Sequence, residues 1–290
     1  MTKSLPVQKK KTQLQEIWRR LRKNKAAMIG LFVITAIVLI SILSGFIYDY
    51  DTQVIAELGP RLQKPCREFP FGTDELGRDI FIRVLYGARY SIMVGSVSVI
   101  VSVLFGVPLG AIAGYIGGRV ENIIMRINDL FLALPNTFMA IAIVSAFGKS
   151  TMNLMIAVGF SSISSFVQVT RASVLTVRNN EYVESARAIG ASNTHIVFNQ
   201  ILPNCLAPII VQTTYRLGSS IIAASALSFL GLGVPKPAPE WGSMLSSGRN
   251  YLMGYSYMTL FPGLALLITV IAFNMLGDGL RDAMDPKLKH

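Results

Sequence analysis

Long uncharged apolar runs alternate with polar connections along the whole chain, and that alternation predicts a bundle of membrane-crossing helices. The first run, Ala26 to Tyr48, has 23 residues without a charge, enough at about 1.5 Å per residue to cross a hydrocarbon layer of about 30 Å. It is long for the apolar core of a signal peptide and no small-residue cleavage site follows it, so a retained span is expected. Further runs cover Tyr90 to Gly118, Leu130 to Gly148, Ser150 to Thr170, Leu206 to Leu230 and about Met253 to Leu276. The fold class expected is all-α integral membrane with six transmembrane helices.

Within these runs, Gly106, Gly110, Gly114 and Gly118 recur every four residues, a small-residue stripe that lets another helix approach closely. Pro108 is expected to kink that helix, and Pro135-Asn136 to kink the next span. The fourth run is polar for a span: Ser161, Ser162, Ser164, Ser165 and Gln168 belong against other helices or a wet pathway, with Ser161, Ser165 and Gln168 as pathway candidates. Arg216 lies well inside the fifth run. It either snorkels to a membrane surface or faces the protein interior, where it could hold an anionic group such as a peptide carboxylate.

The polar connections carry the topology. Nine of the 27 Lys and Arg fall in the first 25 residues, so the net charge of +11 reflects a cytoplasmic flank and not a nucleic-acid surface. With the amino terminus inside, the inner segments hold 17 Lys and Arg and the two short outer loops three, which places both termini in the cytoplasm. The long outer segment Asp49 to Arg89 is expected to end in an amphipathic helix capped by Thr73, and residues 231–250 in an outer loop or re-entrant turn around Trp241. Cys66 and Cys205 then lie on opposite sides and do not pair. Two Cys and two His build no metal cluster.

Glu181 to Pro203 is polar yet sits between two apolar blocks. Tyr182, Ser185, Ala186 and Ile189 fall at i, i+3, i+4 and i+7, Gly190 is placed to end that helix, Ser192 to cap a second, and Pro203 to mark the return into the bilayer. A knob with small residues on one face and carboxylates on another suits docking into a partner's groove; an ordinary loop between spans fits the same pattern.

Glu184-Ser185-Ala186, Gly190 and Leu202-Pro203 resemble, in order and spacing, the EAA loop of bacterial ABC-importer permeases, with Ser185 for the first alanine and Gln200 for an isoleucine. From about Ile17 onward, WRRLRKNKAAMIG, FGTDELGRD, LYGARYS, GAIAGYIGG, LALP, LSFLGLG, PEWGSML, FPGLA and GDGLRDAMDPKL are similar to the second permease subunit of dipeptide and oligopeptide importers. The resemblance implies a type I ABC-importer permease with an extra N-terminal span. Its parts would be a basic tail (1–25), the first span with its outer segment (26–88), a five-span core (89–279) holding the coupling loop 181–203, and a short tail (280–290). It implies a bacterial inner-membrane protein that binds no cofactor itself. ATP and Mg would sit on two partner ATP-binding subunits, and a second permease and an external solute-binding protein would complete the transporter.

In that family the loop seats in a cleft of the ATPase, which assigns Tyr182, Glu184, Ser185, Ala186, Gly190, Leu202 and Pro203 to coupling. Close relatives carry a carboxylate shortly before LSFLG, where this chain has Ala223, Ala224 and Ser225, and a small residue where it has Arg216. Peptides are the first substrate implied, with nickel chelates, glutathione and opines as alternatives. Gly148-Lys149-Ser150 lacks the earlier glycine of a phosphate loop. An ion-driven transporter would need intramembrane carboxylates, and the six apolar runs contain none. A membrane enzyme would need an acid or base within a span, and HExxH is absent.

Overall fold

A computed structural model describes residues 13–284; residues 1–12 of the expected basic tail and 285–290 of the expected C-terminal tail lie outside the described residues. The helices are α1 (Gln13–Leu21), α2 (Lys25–Ile47), α3 (Ile80–Ile116), α4 (Gly118–Ala133), α5 (Asn136–Phe147), α6 (Thr151–Val177), α7 (Glu181–Ala188), α8 (Asn193–His195), α9 (Leu202–Phe229), α10 (Trp241–Gly248) and α11 (Tyr257–Met284). Five helical stretches are long and apolar enough to cross a membrane: α2, α3, α6, Asn193–Phe229 and α11. α4 and α5 together form a sixth, broken span or a re-entrant loop, bent by 88°. The break falls at Leu134-Pro135, because Pro135 disfavours helical geometry in the residue before it, and Leu134 is extended (φ −94°, ψ 130°).

Three boundaries differ from those read in the sequence. The third span starts at Gly118, not Leu130, and so takes in Glu121 and Asp129; Glu121 is neutralised by an ion pair with Arg171 on α6. α3 starts at Ile80, not Tyr90, and runs through Pro108 as one helix of 37 residues. The amphipathic surface helix capped by Thr73 does not form. Asp79 caps α3 instead, accepting the N–H groups of Phe81 (2.7 Å) and Ile82 (3.4 Å), while burial pushes its carboxyl up against the pull of those two donors.

Residues 48–79 are packed, not splayed on a lipid surface. Thr73 is buried, donating to the Pro60 carbonyl and accepting from Gln63 N–H at 2.8 Å. Asp74 accepts the backbone N–H groups of Leu76 and Arg78 and the Arg78 Nε at 2.6 Å, with the Arg83 Nε at 3.7 Å. Arg83 donates onward to the carbonyls of Val54 (3.0 Å) and Pro237 (3.2 Å). Asp74, with Glu75 at 3.8 Å from Arg78, thus offsets two buried guanidiniums and ties the segment after α2, the start of α3 and the loop before α10 together. Charge pairing explains why the polar composition of this stretch misleads a reading based on hydropathy.

Trp241 at the start of α10 is equally buried, its indole N–H donating to the Val84 carbonyl at 2.9 Å. Glu240, 1% exposed, caps α10 through Gly242 and Ser243 N–H, each at 2.8 Å. Burial pushes the Glu240 carboxyl up, opposed by these donors and the nearby serine hydroxyls. The segment 231–250 is therefore a folded cap over α3, α9 and α11.

α3 packs most extensively against α6. A Cβ at Gly106 would fall 2.5 Å from Phe166 Cβ, one at Gly110 2.5 Å from the Val167 carbonyl, and one at Gly114 2.8 Å from Val174 Cβ. Gly118 does not continue the stripe: a Cβ there meets nothing within 4 Å, and its φ of +57° marks the corner between α3 and α4. From α6, Gly159 comes equally close to the Ser98 carbonyl. Ser98 and Ser102 bond across to the carbonyls of Met155 (3.0 Å) and Gly159 (2.7 Å).

Gly110→Val is expected to destabilise the solubilised protein by about 1–3 kcal/mol through overpacking, read as a lower thermal midpoint. Gly118→Asn should stay near the parent value, since asparagine tolerates positive φ. Asp74→Asn, which leaves the buried Arg83 without its ion-pair partner and Arg78 with Glu75 alone at 3.8 Å, should cost about 3–5 kcal/mol in the same measurement.

Candidate functional site

The connection between α6 and α9 folds as the hinged pair of helices its sequence suggests. Gly190 sits at φ +80°, where a side chain would be strained. Its N–H bonds to the Arg187 carbonyl (3.0 Å) and that of Ala191 to the Ala186 carbonyl (3.1 Å), the paired bonds of a Schellman ending. Ser192 then caps α8, accepting His195 N–H at 3.3 Å.

Pro203 does not turn the chain. It lies at the start of α9, directly after a π-helical turn. The backbone runs from α8 through a π-helical turn, Ile196–Ile201, into α9 as one continuous helical stretch.

The loop has an inner and an outer face. Val183 and Ala186 are buried in a cluster with Ala111 and Tyr115 of α3, Val174 of α6 and Ile196, Ile201, Cys205 and Ile209. Ala186 is therefore the one member of the expected Tyr182-Ser185-Ala186-Ile189 stripe that points inward. Tyr182, Glu184, Ser185 and Pro203 are exposed, Ile189 is 85% exposed and Leu202 is half-buried against the cluster.

Polar contacts lock the same joint. Tyr115 donates to the Asn193 side chain (3.0 Å) and accepts from Arg187 Nε (3.4 Å), whose guanidinium also lies over the tyrosine ring. Arg178 donates to the Gly114 carbonyl at 2.9 Å. Sequence reading missed Tyr115, Arg187 and Val183. The i, i+3 spacing of Val183 and Ala186 was the available signal, but Tyr115 is joined to the loop only by the fold.

The pathway candidates divide. Arg216 lies midway along α9 and donates to Ser165 of α6. About 20 Å of helix separates it from either end of α9, and its guanidinium is turned toward α6 by that bond. With Ser161 it lines a pocket of about 140 Å³ that also takes in Asn136, Thr137 and Ser219. Gln168, two turns beyond Ser161 on α6, is exposed and lies outside that pocket. Cys66 is exposed and Cys205 buried, both free. Among the described residues no three His, Cys, Asp or Glu side chains gather as a metal site.

Gly148-Lys149-Ser150 is the turn between α5 and α6. Gly148 is at φ +90° and the Ser150 hydroxyl caps α6 through Asn153 N–H at 3.1 Å.

Residues 106–290 match the family described as binding-protein-dependent transport system inner membrane component, and residues 12–65 the N-terminal transmembrane domain of oligopeptide transport permease C. A dipeptide transport system permease protein of Alkalihalophilus pseudofirmus is 46% identical over 95% of this chain and 90% of its own length. A glutathione transport system permease protein of Pectobacterium atrosepticum is 42% identical over 100% of this chain and 97% of its own. In fold, the chain is similar to a protein chain in an inward-facing structure of the MetNI methionine ABC transporter, with a TM-score of 0.59 and 15% identity over 70% of this chain and 97% of that one. The helical bundle with its extra first span, the Gly190-hinged loop and these matches together make the chain a member of the binding-protein-dependent family of inner-membrane transport components, the permeases of ABC importers.

Proposed function

We propose that this chain is one of two permease subunits of an ATP-driven peptide importer in a bacterial inner membrane. Both its termini are cytoplasmic, and it is not itself an enzyme. ATP and Mg are bound by two partner ATPase subunits, and an external solute-binding protein delivers the substrate. The observation that carries this reading is the two-faced loop. Its inner face is fixed to α3, α6 and α9 through Val183, Ala186 and the Tyr115 contacts. Its outer face leaves Tyr182, Glu184, Ser185 and Ile189 free to dock.

A push on such a knob moves three spanning helices as a body. The Schellman bonds at Gly190 keep α7 from shearing against α8. The small-residue contacts at Gly106, Gly110 and Gly114 hold α3 to α6 while both move. Arg216, Ser161 and Ser165 lie on the substrate side of this assembly. Dipeptides and oligopeptides are the substrates favoured by the relatives' names. Glutathione, itself a small peptide, is the second reading, favoured by relatives of nearly equal identity.

Reconstituted with its partners, the chain should support labelled-dipeptide uptake that requires ATP and persists without an ion gradient; uptake driven by an ion gradient alone contradicts the proposal. Gly190→Val, strained at φ +80°, should assemble and yet lower peptide taken up per ATP hydrolysed at least tenfold. Parental coupling in that variant removes the hinge from the mechanism.

A further inference from the structure

Arg216 makes no ion pair among the described residues, and no acidic residue lines the pocket it enters. Its hydrogen-bond partner is the Ser165 hydroxyl, a neutral group. A guanidinium at the middle of a spanning helix is expensive to keep charged without an anion, and intramembrane charges of this kind mark ligand or ion pathways.

The same pocket receives the start of α5. Asn136, Thr137 and Ala140 line it, and the N-cap residue Pro135 supplies no side-chain hydrogen bond. The first backbone N–H taken up within this turn is that of Phe138, bonded to the Pro135 carbonyl at 2.9 Å. The N–H groups of Asn136 and Thr137 precede it, with no carbonyl four residues back inside the helix to accept them. The 88° bend at Pro135 that interrupts the span thus puts a positive helix end beside a positive side chain.

Two serines of the lining offer acceptors. Ser161 donates its proton to the Val158 carbonyl (2.9 Å) and Ser219 donates to that of Tyr215 (2.9 Å), so both keep oxygen lone pairs for a ligand. A volume of about 140 Å³ holds a carboxylate together with the residue that bears it.

We propose that Arg216 and the start of α5 form a carboxylate-binding site in the pathway, which takes the C-terminal carboxylate of a passing peptide while Ser161 and Ser219 accept from its N–H groups. The inference rests on the importer reading above and gives this subunit a substrate filter of its own, additional to the binding protein.

The test uses the complete transporter in proteoliposomes. ATP-dependent uptake of a labelled dipeptide by the unaltered complex tests the importer reading, and its absence defeats that reading before Arg216 is questioned. Given uptake, Arg216→Gln is expected to lower kcat/KM at least tenfold, and Arg216→Lys to stay within about threefold of the parent.

In a Cys66→Ser, Cys205→Ala background, Arg216→Cys is then treated with two methanethiosulfonates. The one that leaves an ethylammonium group should raise uptake at least threefold, and the one that leaves an ethylsulfonate should not. Uptake by Arg216→Gln within twofold of the parent overturns the site, as does an equal loss in Arg216→Lys or an equal response to the two reagents.

Discussion

Close backbone contact between α3 and α6 is the constraint on which the rest of the structure depends. Between helices in lipid there is no hydrophobic force to gain, so association relies on dispersion contacts and short polar bonds. The glycines at 106, 110 and 114 on one helix and 159 on the other remove the side chains that would hold the backbones apart. Ser98 and Ser102 then bond directly to carbonyls of the facing helix. The result is a two-helix beam, against which α9 packs from both members.

The beam matters because the polar loop is built onto its end. Tyr115 closes α3 and Arg178 closes α6, and these residues reach Asn193, Arg187 and the Gly114 carbonyl. The loop therefore stays an extension of the helices despite its polar composition. On the proposed reading, motion enters at the exposed face of α7 and is carried across the joint without a flexible link. The cap made by Asp74, Arg78, Arg83 and Glu240 binds the opposite ends of α3, α9 and α11 into the same frame.

Much of this was legible in the sequence because membrane spans and helix endings are local signals. A long uncharged run has few alternatives to a spanning helix, and Gly190 followed by Ser192 specifies an ending and a restart in four residues. What escaped depends on distant partners. Residues 71–89 read as an amphipathic surface stretch because their charges are counted singly, whereas in the fold Asp74 pairs with Arg78 and Arg83 and Glu75 with Arg78. Gly118 has the right spacing for the helix stripe but falls beyond the corner at Gly117, so periodicity alone assigned it wrongly. Arg216 was visible as an anomaly; its neighbours on α5 were not, since the bend that brings Asn136 to it is a tertiary feature.

The account's central claim is that the outer face of α7 is the handle through which a partner ATPase moves the bundle. The most direct measurement is site-specific cross-linking from a cysteine placed at Ile189, 85% exposed at the tip of the loop, in the assembled complex with Cys66 and Cys205 replaced. The account predicts a cross-link to the ATPase subunit whose yield changes between nucleotide-free and ATP-bound states. Labelling of that cysteine in intact cells by a membrane-impermeant thiol reagent, with no cross-link to the ATPase in either state, would contradict it.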